Sequence, residues 1–382
     1  MPSISAPEMV SVDLSSLVAQ RATEAERLGR LTNDVVAALH ESGVYRNWIP
    51  TAYGGVGTTA ADGLDCIRAL SSHDGAVGWC AMVANTTSLL GHFLPIEVAQ
   101  EIYGPPQAVT GGAAQPMGTA AANRDDQLVV NGRWQWGSGT AHCTHIGGGC
   151  RVTDRHGEQL GGTHFVFFDR SDVEIHDTWQ VMGLAGTGSN DYEVKNLLVQ
   201  EGFSVEMGVA PPVADDPLAR FSLFGLLAAG VASVSVGIAQ RAIAELTAMA
   251  VERTPQGSSR TLAARASTQI ELAKATATVD ASWGYLLDAV DNCWHHAEID
   301  GSNSLEQRLQ LRSAATDAAR RCADTVRQLY LTAGGEAVYL RGDLQKQFRD
   351  IHVATQHAMI AERTYELVGR AKLGFDIDPR LL

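Results

Sequence analysis

The sequence predicts an α+β protein whose helices flank a central β region. Three observations carry this. Apolar residues recur at helical spacing up to about residue 110 and again from about residue 216. Between them the segments shorten, Thr, Val, Phe and Gly become frequent, and Asn131–Gly132 stands between two apolar runs as a hairpin signal. Finally, Phe221 to Gln240 is twenty residues without a charge, which suits the centre of a helical bundle. The expected organisation is an N-terminal helical domain (1–110), a central β-barrel or sandwich (111–215) and a C-terminal four-helix bundle (216–382).

In the first part, Ala19–Ser42 carries Leu28, Leu31, Val35, Val36 and Leu39 at helical spacing and reads as one helix ended by Gly43. Ala60–Leu70 and Ala76–Leu90 are the next helices. Pro95 starts another, and Pro105–Pro106 closes the region. In the middle part, QLVVNGRWQWGSG reads as a hairpin, and HFVFFDR, VEIHDTWQV and YEVKNLLV read as strands. In the last part, long helices are expected over 220–252, 258–297, 304–333 and 345–372, joined by short connections as in an antiparallel bundle.

Composition narrows the function. The 382 residues are 45% hydrophobic and 19% charged, with a net charge of −14. An acidic chain without Lys/Arg blocks repels phosphate backbones, so no nucleic-acid partner is expected. The uncharged run is long enough to span a bilayer, but its serines and glycines and the lack of an aromatic belt favour a buried helix, and no membrane association is expected. The six cysteines form no C-x-x-C pair and read as reduced thiols. With no signal-peptide pattern at the N-terminus, a cytoplasmic location is expected.

Four segments carry candidate chemistry. Gly112–Ala121 (GAAQPMGTAA) places Gln115, Met117, Gly118 and Thr119 around a Pro and Gly turn. GRWQWGSG presents Trp136, Ser138 and Gly139 in succession. MGLAGTGSNDYEV contains Gly-x-x-x-Thr-Gly-Ser-x-Asp, with Thr187 and Ser189 as hydroxyl donors. LYLTAGGEAVYLRGDLQKQFRDIHVATQHA joins Gly334 and Gly335 to Gln345, Arg349–Asp350, His352 and His357. On a continuous helix, His352 and His357 lie roughly 140° apart and cannot both face one atom. His142 and His145 alternate along a strand and have no second ligand pair, so no metal is expected.

Together these segments resemble the acyl-CoA dehydrogenase fold, and within it the branch that binds reduced flavin and hydroxylates aromatic compounds. The dehydrogenases usually show Thr-Glu-Pro where this chain has Ala114-Gln115-Pro116. Their α-proton is removed by a Glu about eight residues after the Arg-Asp pair, where this chain has Ala358. The resemblance implies a monooxygenase acting on an aromatic substrate, indole-type compounds included, through a flavin C4a-hydroperoxide. It implies reduced FAD rather than FMN, O2, a separate NAD(P)H-dependent flavin reductase, and a homotetramer or homodimer. It places His352 over the flavin as the acid–base group, Ser138 as a hydrogen-bond donor near N5, and His92 as a base on the pocket wall. Gln115, Met117, Gly118, Thr119, Trp136, Gly139, Thr187 and Ser189 would line the flavin. Arg253 or Arg260, with Gly334, Gly335 and Gln345, would touch the cofactor of a neighbouring subunit. His357 and Trp79 would line the substrate pocket, with Arg349–Asp350 as a structural pair. The rival readings are an acyl-CoA dehydrogenase, an N- or S-oxygenase of the same fold, and a non-catalytic assembly protein.

Overall fold

A computed structural model describes residues 9–123, 127–378 and 382. Among the described residues the helices ahead of the sheet are α1 (Val12–Leu28), α2 (Asn33–Glu41), α3 (Ala60–Ser71), α4 (Gly75–Ser88) and α5 (Ile96–Tyr103). The single helix expected over Ala19–Ser42 is two. Gly29 sits at φ 63°, a left-handed conformation that glycine adopts without steric cost, and the two amides at the break turn back onto Ala25 and Glu26.

Seven strands follow: β1 (Thr110–Ala122), β2 (Gln127–Gly137), β3 (His145–Thr153), β4 (Gln159–Asp169), β5 (Glu174–His176), β6 (Asn190–Gln200) and β7 (Ser204–Glu206). They form one mixed sheet in the order β5-β6-β2-β1-β3-β4-β7, with β1 and β3 parallel. Asn131–Gly132 is not a hairpin turn. Both residues lie inside β2, at a register shift where Val130 pairs Leu197 but Gly132 pairs Val194. A side chain on Gly132 would meet the buried Trp134 ring, so the glycine answers packing and not a turn. Likewise Gly112–Ala121 is strand, not loop: it runs within β1 and is irregular only between Ala113 and Gly118.

The remaining helices are α6 (Leu223–Glu252), α7 (Ala266–Ile299), α8 (Leu305–Ala333), α9 (Leu344–Ala354) and α10 (Arg363–Lys372). Two expectations change here. The helix expected from residue 258 begins only at Ala266, after a turned segment containing Pro255 and Gly257. The helix expected over 345–372 is broken into α9 and α10, with a short 3-10 turn at Ala358–Ile360 between them.

Among the described residues α6 is the one helix long and apolar enough to cross a membrane, and it lies at the centre of the bundle. Leu226, Val231, Val234, Val236 and Ile238 are fully buried in it. Its Ser233 and Ser235 hydroxyls donate to the Ala229 and Val231 carbonyls, so no buried donor is lost. Small residues let α3 come close: a Cβ on Gly237 would stand 2.3 Å from the Arg68 carbonyl oxygen. Backbone cannot yield there as a flexible side chain could. Gly237→Ala is therefore expected to lower stability by roughly 1–3 kcal/mol in urea unfolding. An unchanged midpoint would show that the α3–α6 contact has slack.

Candidate functional site

The site forms where β2, the loop before β6, α4 and the segment after α9 converge. Backbone conformation marks it. Three described non-glycine residues have positive φ, and two of them, Trp136 (65°) and Leu184 (52°), flank it. The kink at Trp136 leaves its ring 54% exposed and turns Ser138, two residues on, into the interior.

Buried hydroxyls connect these pieces. The Trp79 Nε1–H donates to Ser138 Oγ at 3.0 Å. Ser138 Oγ lies 2.6 Å from Ser189 Oγ, and Ser189 Oγ 2.7 Å from Thr187 Oγ1. Thr187 Oγ1 reaches the Leu184 carbonyl at 2.8 Å. The ends fix the direction of the row. A carbonyl only accepts, so the single Thr187 proton goes to Leu184, and an indole N–H only donates. Ser189 must then donate to Thr187, and Ser138 to Ser189. The hydroxyl expected to donate toward a flavin thus has its proton turned inward and offers the site a lone pair.

Leu184 also joins the sheet to the bundle. Its carbonyl accepts from Trp179 Nε1 as well as Thr187, and its N–H donates to Asp350 Oδ1 at 2.6 Å. The other Asp350 oxygen takes Lys346 Nζ at 2.6 Å. Lys346 lies 3.6 Å from Asp74, whose side chain caps the first turn of α4 through the Ala76 N–H. All three charged residues are buried. Burial works against the Lys346 charge, but Asp350 and then Asp74 overcome it and hold the ammonium above its ordinary pKa. Arg349 faces outward to Glu26 and the Met182 carbonyl. Arg349 and Asp350 do not pair with each other: Arg349 ties α9 to α1, and Asp350 ties it to the loop before β6. Lys346 and Asp74 were not anticipated, although the four-residue spacing of Lys346 and Asp350 and the Asp before Gly75 were both visible in the sequence.

The two bundle histidines part company, and His357 meets Trp79, the residue expected beside it. His352 donates from Nδ1 to the Phe348 carbonyl at 2.8 Å and lies 4.3 Å from the Phe348 ring, which itself stacks on Tyr330 of α8. His357 has left the helix. It caps the 3-10 turn, accepting the Met359 N–H at Nδ1, and packs edge-on against Trp79 with centroids 5.7 Å apart. The structure therefore brings His357 to Trp79, which on its other side holds Ser138, and gives His352 contacts toward the bundle. Burial, and then the Arg312 cation, push His357 down to about 4. An imidazole that accepts at Nδ1 and stays neutral carries its proton on Nε2.

The other expected residues fall into three groups. Gln115 and Met117 are exposed on β1. Gly118 is buried against Trp134 and Cys150, so its lack of a side chain serves packing. Thr119 faces out on the same strand, and Gly139 donates its N–H to the Thr187 carbonyl. His92 is fully buried, Nε2 against the Trp48 carbonyl, and no described residue bonds its Nδ1. At the far end of the bundle, Arg253 pairs with Glu336 beside the exposed Gly334–Gly335, and Arg260 is exposed. Gln345 is buried and ties Gly342 to Arg349. His142 and His145 part company: His142 stacks on Tyr45, while His145 opens β3 opposite Asp169.

His142 is pushed down to about 4, by burial first and His40 second. With His357, it stays neutral in the fold where the unfolded chain would take up protons near pH 6.5. The unfolded state then binds more protons between about pH 6.5 and 4, so stability is full above that window and falls as pH drops through it. Urea unfolding is expected to give a lower stability at about pH 5 than at about pH 7.5, and His142→Phe is expected to narrow the gap. A gap unchanged by that substitution would remove His142 from the account.

Comparison with known proteins agrees with this architecture. The family model described as acyl-CoA dehydrogenase, C-terminal domain, matches residues 229–362. The indole-3-acetate monooxygenase of Pseudomonas putida is 30% identical over 356 residues, covering 93% of this chain and 90% of that protein. The flavin-dependent monooxygenase, oxygenase subunit HsaA, of Rhodococcus jostii (strain RHA1) is 25% identical over 94% of this chain and 96% of its own length. Among solved structures, XiaF from Streptomyces sp. in complex with FADH2 and glycerol superposes with a TM-score of 0.90 at 23% identity, covering 97% of this chain and 95% of that one. The chain belongs to the flavin-dependent monooxygenases built on the acyl-CoA dehydrogenase fold.

Proposed function

We propose that this protein is the oxygenase component of a two-component system: it takes reduced FAD from a separate NAD(P)H-dependent flavin reductase and hydroxylates an indole-type or related aromatic compound. One observation carries the choice of chemistry. The site is built from hydroxyls, an indole N–H and a neutral imidazole, while the carboxylates that join its walls, Asp74 and Asp350, are tied to Lys346. Ala358 stands where a dehydrogenase of this fold would carry its proton-abstracting Glu. Among the described residues that build the site, an α-proton has no unpaired carboxylate to go to.

A flavin fits the residues present. Trp136 and Met182 are 54% and 52% exposed on segments that lead into the buried hydroxyl row, and Met117 is 41% exposed on β1; large apolar side chains left in water suit a flat aromatic ligand. Trp136, Met117 and the Gln115–Gly118 backbone would hold the ring, with Ser138 at its polar edge. Bound reduced flavin supplies two electrons and, with O2, the oxygen atom that enters the substrate. The chain's own groups do the rest. Ser138 presents an acceptor whose orientation Trp79 and Ser189 fix. His357 presents its Nε2–H. Trp79 sets the distance between them, and the surrounding apolar core keeps water out.

FAD is preferred to FMN because XiaF, which shares the fold, is recorded with FADH2. An indole-type substrate follows the name of the Pseudomonas relative and the aromatic wall that Trp79 supplies. We place the protein in the cytoplasm, where its six free cysteines stay reduced. Assembly as a homotetramer or homodimer is supported by the exposed apolar run Val338–Tyr339–Leu340 beside Gly334–Gly335.

The test supplies chemically reduced FAD, 18O-labelled O2 and indole-3-acetate or simple phenols, without any reductase. One labelled oxygen atom in the product is expected. Ser138→Ala is expected to cut product per reduced flavin roughly tenfold or more, with the loss appearing as hydrogen peroxide. Reoxidation at the free-solution rate with no oxygenated product, or anaerobic bleaching of oxidised flavin by an acyl-CoA, would overturn the proposal.

A further inference from the structure

Arg312 of α8 lies only 3% exposed in the bundle interior, among Leu311, Ala314 and Ala315. A guanidinium is costly to bury, and here burial, followed by repulsion from Arg363, lowers its pKa to about 10. Its Nη2 donates to the Met359 carbonyl at 2.8 Å and toward Thr364 Oγ1 at 3.4 Å. Met359 is the residue whose N–H is accepted by His357 Nδ1 at 3.3 Å. Met359 thus receives the arginine on its carbonyl and gives its amide to the histidine, so the two peptide units that flank one residue are held from both sides. Arg320, two turns along α8, reaches the next carbonyl, that of Ile360, at 3.4 Å and pairs with Glu362 at the surface. One face of α8 therefore grips the turn that takes His357 out of the helix.

We propose that Arg312 is a positioning residue for His357: it anchors the Met359 peptide and stands as a buried cation behind the imidazole, so that the ring is fixed as a neutral Nε2–H donor against Trp79. The geometry sets the tautomer, because an Nδ1 that accepts the Met359 N–H carries no proton. The charge sets the protonation state, because a cation that cannot turn away into water penalises imidazolium. Among the described residues the charged group acting on His357 is Arg312; α4 presents Trp79 to it, and Arg363 of α10 acts on Arg312. For this role Arg312 need touch neither flavin nor substrate. It makes His357 a donor and denies it the part of a base, since its one free nitrogen already carries the proton.

That His357 faces the reaction rests on the monooxygenase reading above. The test does not, because it is made on the protein without flavin, so a failed oxygenation assay and a failed titration are separate results. Long-range 1H–15N NMR of the histidine rings, assigned with His357→Gln, reports tautomer and titration together. In the natural sequence His357 is expected as the Nε2–H tautomer, neutral down to a midpoint of about 4. Arg312→Met is expected to raise that midpoint by about one unit or more toward the ordinary histidine value, and Arg312→Lys to keep it low. Arg320→Gln is expected to leave it unchanged. Should Arg312→Met fail to fold, the natural sequence still decides: an Nδ1–H ring, or a midpoint near 6.5, overturns the proposal. An equal shift in Arg320→Gln also overturns it, since the effect would then belong to the turn and not to the cation.

Discussion

A lysine buried between two aspartates sets the relation of everything at this site. Lys346 holds Asp350 at 2.6 Å and stands 3.6 Å from Asp74. Asp74 caps α4, which carries Trp79; Asp350 holds the amide of Leu184, whose carbonyl ends the hydroxyl row; and α9, which bears both Lys346 and Asp350, leads to His357. Three separate stretches of chain are thereby fixed to one ammonium. Such an arrangement is stable only while complete. Losing one partner leaves an uncompensated buried charge, at a cost of about 3–5 kcal/mol. That cost gives the convergence of sheet, N-terminal helices and bundle its precision, which a greasy interface alone would leave softer.

Around this clamp the polar groups avoid charge. Trp79, Ser138, Ser189 and Thr187 pass one hydrogen each along a line that ends on a carbonyl, so every donor is used and the row has a single sense. His357 is neutral with its proton on Nε2. Neutral donors and acceptors suit oxygen insertion, where an open carboxylate or a mobile ammonium would bring water and a ready proton to the reacting atoms. Two residues in a left-handed backbone conformation, Trp136 and Leu184, flank the row, and such conformations persist only where the surroundings over-determine them.

The motifs that were legible are those whose residues are contiguous. Trp136-Gly137-Ser138 and Thr187-Gly188-Ser189 could be singled out as one candidate site because their order along the chain carries the pattern, and the structure joins Ser138 to Ser189 across 51 positions. The α–β–α order was legible from periodicity, and α6 from its lack of charge. The hairpin at Asn131–Gly132 was misread because that dipeptide also suits a bulge over a bulky neighbour, here Trp134. The angle between the two histidines was misjudged because their spacing was read on an unbroken helix. The break after α9 is imposed from α8, where Arg312 and Arg320 take the carbonyls of Met359 and Ile360. Nothing within residues 345–372 announces it.

By itself, then, the chain determined its class of fold and the residue types that chemistry would draw on. Helical and strand periods are local, and so is the order of residues within a motif. Only the tertiary structure decided which way the Ser138 proton points, which histidine meets Trp79, and which cation holds the site together. Each of those depends on a partner distant in sequence: Ser189 for the serine, Arg312 for the imidazole, Asp74 for the lysine. The direction of a hydrogen bond and the charge of a buried ring are properties of pairs, and those pairs exist only once the chain has folded.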